Sequence, residues 1–333
     1  MKQLTTSSFE SLLTSQIQWI DVRAPIEFAS GAVPGAINIS LLTDDERHQI
    51  GITYKEQGQE AAIELGHQLV SGPTREQRLN LWIQAIQSRP LSVIYCFRGG
   101  LRSQIVQRWL HEQGIECPII FGGYKALRYF LLESSEVNIQ AIEFHVVSGP
   151  TGSGKTEFLY SSGRPFIDLE EIAKHRGSAF GATDQAQPSQ ANFENELSVQ
   201  LLKLSKLDQP VLIESESRMI GKRHIPESLF FKIKNSKTLI LDVPMQERID
   251  RIYNIYVVDK NISSLKMIDT FQTFRASVKA ISRKLGGART QEILLDLDFS
   301  EQEYSAGRGL TSNHNWIRKI LTWYYDPLYN RSF

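Results

Sequence analysis

Short runs of apolar residues alternate along the chain with segments in which apolar residues recur every three or four positions. The short runs are typical of buried β-strands, and the recurring spacing predicts helices that bury one face. Because this alternation is typical of parallel sheets covered by helices, it predicts an α/β fold. The predicted strands are 17–22, 91–96, 118–121, 143–148, 210–215 and 237–243.

Capping residues and spacing predict three of the helices in more detail. A capping box formed by Thr74 and Gln77 indicates the start of the first helix. The second begins near Ser103 and ends at Gly114, because glycine readily adopts the left-handed conformation that closes a helix. The third covers 189–207, where the apolar residues share one helical face.

A polar segment at 131–140, followed by a new strand, indicates the junction between two domains. We therefore predict a first domain at 1–137 and a second at 138–333. The second domain ends in a helical region, where spaced apolar residues predict an amphipathic helix packed on the core: Ile317, Ile320, Leu321 and Tyr324.

Composition narrows the classes of function. Among 333 residues, 37 basic side chains balance 37 acidic ones, which excludes a uniformly basic RNA-binding surface. The local basic run at 275–289 is interpreted either as an RNA contact or as a solvated helix face. Two cysteines exclude a disulfide framework and favour a reducing compartment. Since no apolar run has the length of a signal peptide or a membrane helix, we predict a cytoplasmic protein without a membrane segment.

The sequence GPTGSGKT at 149–156 follows a predicted strand and matches the Walker A pattern G-x-x-x-x-G-K-[ST]. Backbone N–H groups of such a loop surround phosphate oxygens, and its lysine neutralises the terminal phosphates. The loop therefore predicts a diphosphate or triphosphate site, with Thr156 as a candidate Mg²⁺ ligand. Candidates for the acidic Walker B residue are Asp168, Glu214 and Glu216. The predicted phosphate-binding residues are Gly149, Thr151, Gly152, Ser153, Gly154, Lys155 and Thr156.

A second candidate loop, at 96–103, lies between a predicted strand and a predicted helix. Convergent backbone amides and two arginines favour the thiolate of its cysteine, so we predict a nucleophile. The predicted catalytic residues are Cys96, Arg98, Gly99, Gly100 and Arg102. The other cysteine, Cys117, precedes a proline and a strand, and it is predicted to be structural.

The sequence around the cysteine loop resembles the rhodanese superfamily. The resemblance rests on Asp21-Val22-Arg23, Glu27-Phe28, 31–38, the Cys96 loop and 122–126. Rhodanese-like domains hold sulfur or selenium on the loop cysteine. The Cys-x5-Arg spacing of Cys96 and Arg102 also resembles the loop of dual-specificity phosphatases, so a phosphatase is one alternative. A P-loop kinase or NTP-driven switch with a rhodanese-like sensor is another.

A rhodanese-like domain followed by a Walker A domain resembles the tRNA 2-selenouridine synthases over nearly the whole chain. The resemblance rests on the two loops and on the strings at 51–72, 168–181, 214–221 and 324–329. It implies a rhodanese-like parallel-sheet domain, then a P-loop α/β domain with a helical C-terminal part. It also implies a tRNA-modifying transferase. The wobble 2-thiouridine is geranylated on sulfur by geranyl diphosphate, and selenium from selenophosphate then replaces that sulfur through a selanyl group on Cys96.

The same resemblance implies ligands and further site residues. Geranyl diphosphate and selenophosphate are co-substrates and Mg²⁺ is a candidate cofactor, whereas we expect no flavin, nicotinamide or Fe–S cluster. Expected partners are tRNA with wobble 2-thiouridine and an enzyme that supplies selenophosphate, and we expect a monomer. A geranyl chain needs an apolar channel, for which the segment around Gly66 and His67 is a candidate. The residues assigned to substrate or tRNA are Gly66, His67, His175, Arg176, Arg218, Lys222 and Arg223.

Overall fold

The computed structural model describes residues 2–181, 185–259 and 264–330. The chain divides into two compact units, each of which contains its own parallel sheet. The first unit comprises Met1–Ile142 and Pro188–Asp208, and the second comprises Glu143–Gln187 and Gln209–Phe333. Within the described residues, no helix combines the length and the apolar stretch that a membrane crossing requires.

The predicted α/β fold is confirmed, and each predicted strand is present with slightly narrower bounds. The strands are β1 (Gln3–Leu4), β2 (Gln18–Asp21), β3 (Ile37–Asn38), β4 (Ser92–Tyr95), β5 (Ile119–Ile120), β6 (Phe144–Ser148), β7 (Phe166–Ile167), β8 (Val211–Glu214), β9 (Met219–Ile220), β10 (Arg223–His224) and β11 (Lys237–Ile240).

Helices make up most of the remaining structure. They are α1 (Phe9–Thr14), α2 (Pro25–Ser30), α3 (Asp44–Gln57), α4 (Gln59–Leu69), α5 (Gly72–Ser88), α6 (Leu101–Glu112), α7 (Gly123–Ala141), α8 (Lys155–Ser161), α9 (Leu169–Ala173), α10 (Gln190–Leu204), α11 (Glu227–Lys234), α12 (Met245–Tyr253), α13 (Ser264–Ala280), α14 (Ser282–Leu285), α15 (Gly287–Ser305), α16 (Asn313–Ile320) and α17 (Asp326–Asn330). A 3₁₀ turn covers Thr6–Ser8, and π-helical turns cover Asn254–Val258 and Leu321–Tyr325.

The first unit is built on a parallel sheet with the strand order β1-β5-β4-β2-β3. Successive side chains of a strand point to opposite faces, so Trp19 and Ile20 of β2 belong to different hydrophobic clusters. Helices α5 and α6 pack in the cluster of Ile20, whereas α1, α7 and α10 pack in the cluster of Trp19. Because both faces of the sheet are covered, every residue of β2, β4 and β5 is buried.

Helix α10 belongs to the first unit although it follows the phosphate loop in the sequence. The predicted helix at 189–207 is confirmed, and its Val199 and Leu202 join the cluster of the first sheet. Asn195 Nδ2 also donates a hydrogen bond to the Ala32 carbonyl at 2.7 Å. The first unit is therefore discontinuous in sequence, which a single domain boundary does not describe.

The predicted junction between 137 and 138 lies inside α7. Leu131, Ser135 and Ile139 recur every four residues and are buried, so the segment 131–140 is the second half of a helix rather than a linker. The polarity that suggested a linker belongs to the exposed side of this helix. The chain passes from the first unit to the second after Ile142.

One helix start and one helix stop test the predicted capping signals. Helix α5 begins at Gly72 rather than at the predicted capping box, so Thr74 and Gln77 lie inside the helix and that prediction is wrong. A proline in its first turn, which is favoured there, takes the place of the box. Helix α6 ends at Glu112, and Gly114 adopts a φ of +72°, so the predicted left-handed stop is confirmed.

The second unit contains a parallel sheet with the strand order β11-β6-β8-β7 and a separate antiparallel hairpin, β9–β10. Its C-terminal half is helical, as predicted, and Ile317, Ile320 and Leu321 are buried in a cluster with α12, α13 and α15. All four residues of β11 are exposed, which contradicts the predicted buried strand. β11 is an edge strand that pairs with β6 alone. Its apolar residues therefore favour an extended strand conformation without being covered by other elements.

Candidate active sites

The cysteine loop connects the end of β4 to the start of α6. Cys96 is 3% exposed, and its Sγ lies 3.2 Å from the Ser103 hydroxyl and 3.9 Å from the Gly100 carbonyl. The thiol therefore rests on the first turn of α6, where the free N–H groups and the dipole of a twelve-residue helix favour a negative charge. This arrangement suits a nucleophilic thiol that handles an anionic donor.

Gly99 and Gly123 allow close backbone contacts that hold the cysteine loop in place. A Cβ on Gly99 would lie 2.5 Å from the Ile120 carbonyl, and a Cβ on Gly123 would lie 2.5 Å from the Gly99 nitrogen. The Tyr124 N–H also donates to the Cys96 carbonyl at 2.8 Å. The predicted Gly99 is therefore a residue of close approach, and the Gly122–Gly123 pair is the matching surface.

The two predicted arginines of this loop differ in their surroundings. Arg98 is exposed, whereas Arg102 forms a forked ion pair with Glu27, at 2.6 and 3.1 Å. Burial alone would raise the pKa of Glu27, but Arg102 and Arg47 lower it below its usual value. Glu27 therefore stays ionised and orients Arg102, so an incoming anion competes with a carboxylate for that guanidinium.

The Asp21-Val22-Arg23 string of the rhodanese resemblance is structural. Arg23 is 2% exposed, and its Nη2 donates to Asp21 Oδ2 at 2.5 Å and to the Gly31 carbonyl at 2.6 Å. Its guanidinium also lies 4.1 Å from the centre of the Tyr124 ring. This buried ion pair links the end of β2 to the start of α7, behind the cysteine loop.

Beside the cysteine loop lies an apolar pocket of about 340 Å³. Helices α3, α4 and α6 form its walls, and the predicted Gly66 and His67 line it together with Arg102. Most other lining side chains are hydrocarbon or aromatic: Leu41, Leu42, Ile50, Tyr54, Ala62, Ile63, Val70, Leu101, Ile105 and Trp109. The pocket suits an apolar chain much better than a charged ligand.

The phosphate loop connects β6 to α8 in the second unit. Gly152 and Gly154 have φ values of +82° and +84°, which glycine adopts without strain. Lys155 Nζ donates to the Gly149 carbonyl at 3.3 Å, so the ammonium group lies across the loop. The loop opens on a cavity of about 1900 Å³ with many charged lining residues, in which Thr151 and Thr156 also take part. Ser153 is buried, and its N–H closes a turn onto Pro150.

Three glutamates converge beside the phosphate loop. Oxygens of Glu170, Glu214 and Glu216 lie within 4.8 Å of one another. Burial and the charges of the other two raise the pKa of Glu170 to about 9, and burial and Glu214 raise that of Glu216 to about 7. Burial also raises the pKa of Glu214, which accepts a hydrogen bond from Thr156. The cluster holds protons or a cation, because three close carboxylates cannot all stay charged alone.

Of the three Walker B candidates, Glu214 and Glu216 belong to this cluster, whereas Asp168 has another role. Asp168 caps α9 by accepting from the Glu171 N–H at 2.8 Å. Glu170 was not among the predicted site residues, although it lies in the string 168–181. The feature that could have indicated Glu170 is its position two residues after Asp168, in the first turn of a helix beside the loop.

Helix α12 supplies two arginines that sequence reasoning also missed. Arg248 Nε donates to the Thr151 carbonyl at 2.9 Å, and Arg251 Nη1 donates to the Gly152 carbonyl at 2.8 Å. Their spacing of three residues places both on one face of the helix, which was the available signal. Neither residue lies in a recognised motif.

The residues assigned to substrate or tRNA have different locations in the second unit. His175, Arg176 and Arg218 line the large cavity, whereas Lys222 and Arg223 lie in the hairpin of β9 and β10. Burial lowers the pKa of His175, so its ring is neutral near pH 7.

The first residue of the basic run at 275–289 forms ion pairs within the protein. Arg275 pairs with Asp298 at 2.8 Å and also with Glu301, both on α15. This guanidinium is therefore engaged within the second unit.

Comparison with known proteins covers both units. The model of the tRNA 2-selenouridine synthase AAA domain matches residues 142–333, and that of the rhodanese-like domain matches residues 5–128. The chain is 41% identical to a tRNA 2-selenouridine synthase of Nitrosomonas europaea, over 96% of this chain and 90% of the relative. It is 42% identical to that of Bdellovibrio bacteriovorus, over 99% and 92%, and 43% identical to that of Marinobacter nauticus, over 98% and 90%. The chain therefore belongs to the tRNA 2-selenouridine synthase family.

Proposed function

We propose that the protein is a transferase that converts wobble-position 2-thiouridine of tRNA to 2-selenouridine in two steps. The observation that carries the proposal is the combination, in one chain of this family, of a cysteine loop and a phosphate loop. One supports selenium transfer through a thiol, and the other supports departure of a diphosphate.

In the first step, the thiocarbonyl sulfur attacks C1 of geranyl diphosphate. The S–C bond forms, the C–O bond breaks, diphosphate leaves, and the N3 proton of the base is released. Lys155 and the N–H groups of the phosphate loop stabilise the charge that develops on the diphosphate. The size and charge of the cavity around this loop support the assignment.

We also propose Mg²⁺ at the glutamate cluster beside Thr156. The fit rests on a buried Glu214 oxygen, Oε1, for which the described residues offer no hydrogen-bond donor. Carboxylate oxygens are preferred ligands of Mg²⁺, which when bound would offset charge on a diphosphate. Mn²⁺ binding measured by electron paramagnetic resonance tests this assignment without any enzymatic turnover. Loss of binding in Glu214→Gln is expected, and wild-type protein that binds no Mn²⁺ would contradict it.

In the second step, the Cys96 thiolate attacks C2 of the S-geranyl base, the C2–S bond breaks and geranyl thiol leaves. Selenium of selenophosphate then attacks C2 and displaces the Cys96 thiolate, and water cleaves the Se–P bond, so that phosphate leaves and 2-selenouridine is formed. A selanyl group on Cys96 would need a two-electron oxidant, because selenium in selenophosphate is at the selenide level. The apolar pocket beside Arg102 supports this step, because its volume and lining suit the geranyl chain of the intermediate. We further propose that a selenophosphate-producing enzyme feeds the cysteine loop, and that the protein acts as a monomer.

Mass spectrometry of tRNA nucleosides tests both steps. With thiolated tRNA, geranyl diphosphate and selenophosphate, Cys96→Ala is expected to accumulate the S-geranyl nucleoside and form no 2-selenouridine. Lys155→Ala is expected to block geranylation but to accept tRNA that is already geranylated. Unchanged selenation by Cys96→Ala would overturn the proposal.

The second cysteine provides a matched control. Burial raises the pKa of Cys117 to about 12, so its thiol is protonated and unreactive at neutral pH. Cys117→Ala is therefore expected to retain both steps. ATP turnover that ignores thiolated tRNA would instead favour a P-loop kinase or switch.

A further inference from the structure

We propose that the C-terminal segment is a working part of the diphosphate site, in which Asp326 positions Arg248 and thereby orients the phosphate loop. Arg251, on the same face of α12, assists. The inference rests on the proposed first step, since it assigns the loop to a diphosphate. Asp326 and Arg248 act through the loop, so they are positioning residues rather than catalytic ones.

The contacts form a continuous chain from the C-terminal helix to the loop. Asp326 Oδ1 and Oδ2 accept from Arg248 Nη2 at 2.5 Å and from Nη1 at 3.2 Å. The third nitrogen of that guanidinium, Nε, donates to the Thr151 carbonyl at 2.9 Å. Arg248 is 5% exposed, so its buried charge needs a partner, which the Asp326 carboxylate provides. The third hydrogen bond of the guanidinium goes to the phosphate loop.

The geometry of the peptide bond turns this contact into an orienting device. In a trans peptide the carbonyl and the following N–H point in opposite directions, and the described chain contains no cis peptide. Because Arg248 holds the Thr151 carbonyl on the side of α12, the Gly152 N–H points to the opposite side, away from this helix. Inward N–H groups are what a phosphate loop uses to bind an anion.

Glycines at two loop positions allow α12 to approach this closely. A Cβ on Gly152 would lie 2.8 Å from Ile252 Cδ1 and 3.0 Å from the Arg248 carbonyl. A Cβ on Gly154 would lie 3.1 Å from Arg251 Cζ. These glycines therefore serve contact with α12 as well as the left-handed backbone of the loop.

Two further contacts tie the same parts together. Tyr329 Oη lies 3.4 Å from Ser148 Oγ, at the residue that precedes the loop. Arg251 Nε donates to Glu157 Oε2 at 2.9 Å, on the helix that follows the loop. The C-terminal segment and α12 thus brace the loop before, within and after its glycines, and they leave Lys155 and Thr156 open to the cavity.

Calorimetric titration of the full chain with inorganic pyrophosphate tests this inference. Asp326→Asn keeps the size of the side chain but removes its charge, and it is expected to raise the Kd about tenfold, as for loss of a charged hydrogen bond. Arg251→Gln is expected to raise it by a smaller factor. In geranylation assays, both variants should raise the KM for geranyl diphosphate and leave the KM for thiolated tRNA unchanged.

The matched control is Glu301→Gln, which breaks the Arg275–Glu301 pair in the same unit without touching the loop. This variant is expected to keep the wild-type Kd even if its thermal midpoint falls. A raised Kd in Asp326→Asn would then reflect loss of positioning rather than loss of stability. If Asp326→Asn does not fold, Asp326→Glu, which keeps the charge but displaces the carboxylate, decides in its place and is expected to raise the Kd. Wild-type Kd values in the folded variants would overturn the inference, whereas failure of the wild-type protein to bind pyrophosphate would overturn the first step on which it rests.

Discussion

The cysteine loop and the phosphate loop occupy the same position in two different sheets. Each follows a strand with parallel neighbours on both sides, β4 in the first unit and β6 in the second, and each leads into a helix. Ligands of α/β sheets bind at the carboxyl ends of such strands. The two loops differ in what supports them. Backbone of the Gly122–Gly123 turn supports the cysteine loop, whereas arginine side chains of α12 support the phosphate loop.

The spaces beside the loops differ as well. The cysteine loop adjoins an apolar pocket of about 340 Å³, and the phosphate loop opens on a charged cavity of about 1900 Å³ that contains three glutamates. Topology therefore places a reactive loop, while neighbouring residues from other segments decide its chemistry. Three changes test this contrast.

The largest effect is expected for Gly123→Ala. Its Cβ would lie 2.5 Å from the Gly99 nitrogen, so the cysteine loop must move, and a displacement of this kind costs about a hundredfold in rate. Selenation of geranylated tRNA should fall by about that factor, while the Kd for pyrophosphate stays the same. The control is Gly114→Ala, which has a similar φ, +72°, but no atom within 4 Å of the added Cβ. Equal selenation rates for the two variants would show that the glycine contact does not matter.

A smaller effect is expected for Gly66→Leu, which fills the apolar pocket. Selenation of geranylated tRNA should slow roughly tenfold, as for a misfit in a hydrophobic pocket, and geranylation should be unaffected. The control is Gly66→Ala, because a Cβ at this position makes only an ordinary contact with Ile50 Cδ1, at 3.5 Å. If geranylation slows instead, the apolar pocket serves the first step, and the assignment of the two cavities to the two steps is wrong.

The smallest effect concerns stability and is confined to the phosphate unit. Glu170 and Glu216 have raised pKa values in the folded protein, about 9 and about 7. At any pH above the ordinary glutamate pKa, the folded state therefore binds more protons than the unfolded state. Stability must therefore fall as pH rises between roughly 4.5 and 9 in the absence of a divalent cation. Glu170→Gln should flatten this fall in the thermal midpoint, measured from pH 5 to about pH 8.

An exposed glutamate serves as the control for that measurement. Glu56 lies on the surface of α3, and Glu56→Gln should retain the wild-type dependence on pH. A Glu170→Gln slope identical to that of the wild-type protein would mean that the glutamates do not repel one another. Added Mg²⁺ should oppose the fall in the wild-type protein only, because the variant has lost one of the converging carboxylates.

Contiguous features of the molecule were predictable from the sequence. The phosphate loop is eight consecutive residues, so its backbone and its lysine need no distant partner to be recognised. Both candidate loops were placed correctly after strands, and α10 was placed almost to its ends. Gly66 and His67 were singled out for an apolar channel, and both line the apolar pocket.

Features that depend on distant residues were not predictable. Arg248 and Asp326 are 78 positions apart and meet at the phosphate loop only in the folded chain. Glu170 gained its importance from Glu214, at the end of β8, and Glu216, in the loop that follows it. The exposure of β11 followed from its place at the edge of the sheet, which strand composition does not reveal.

The sequence by itself determined the local chemistry of this protein: a thiol in a glycine-rich turn, a phosphate-binding loop, and strands and helices in an α/β order. Those properties depend on residues near each other in the chain, whose φ angles and periodicity are local. Only the tertiary structure decided which arginines hold the phosphate loop, that Glu27 engages Arg102, and that α10 belongs to the first unit. Such pairings arise when burial makes charged and polar groups find partners, and burial is a property of the whole fold.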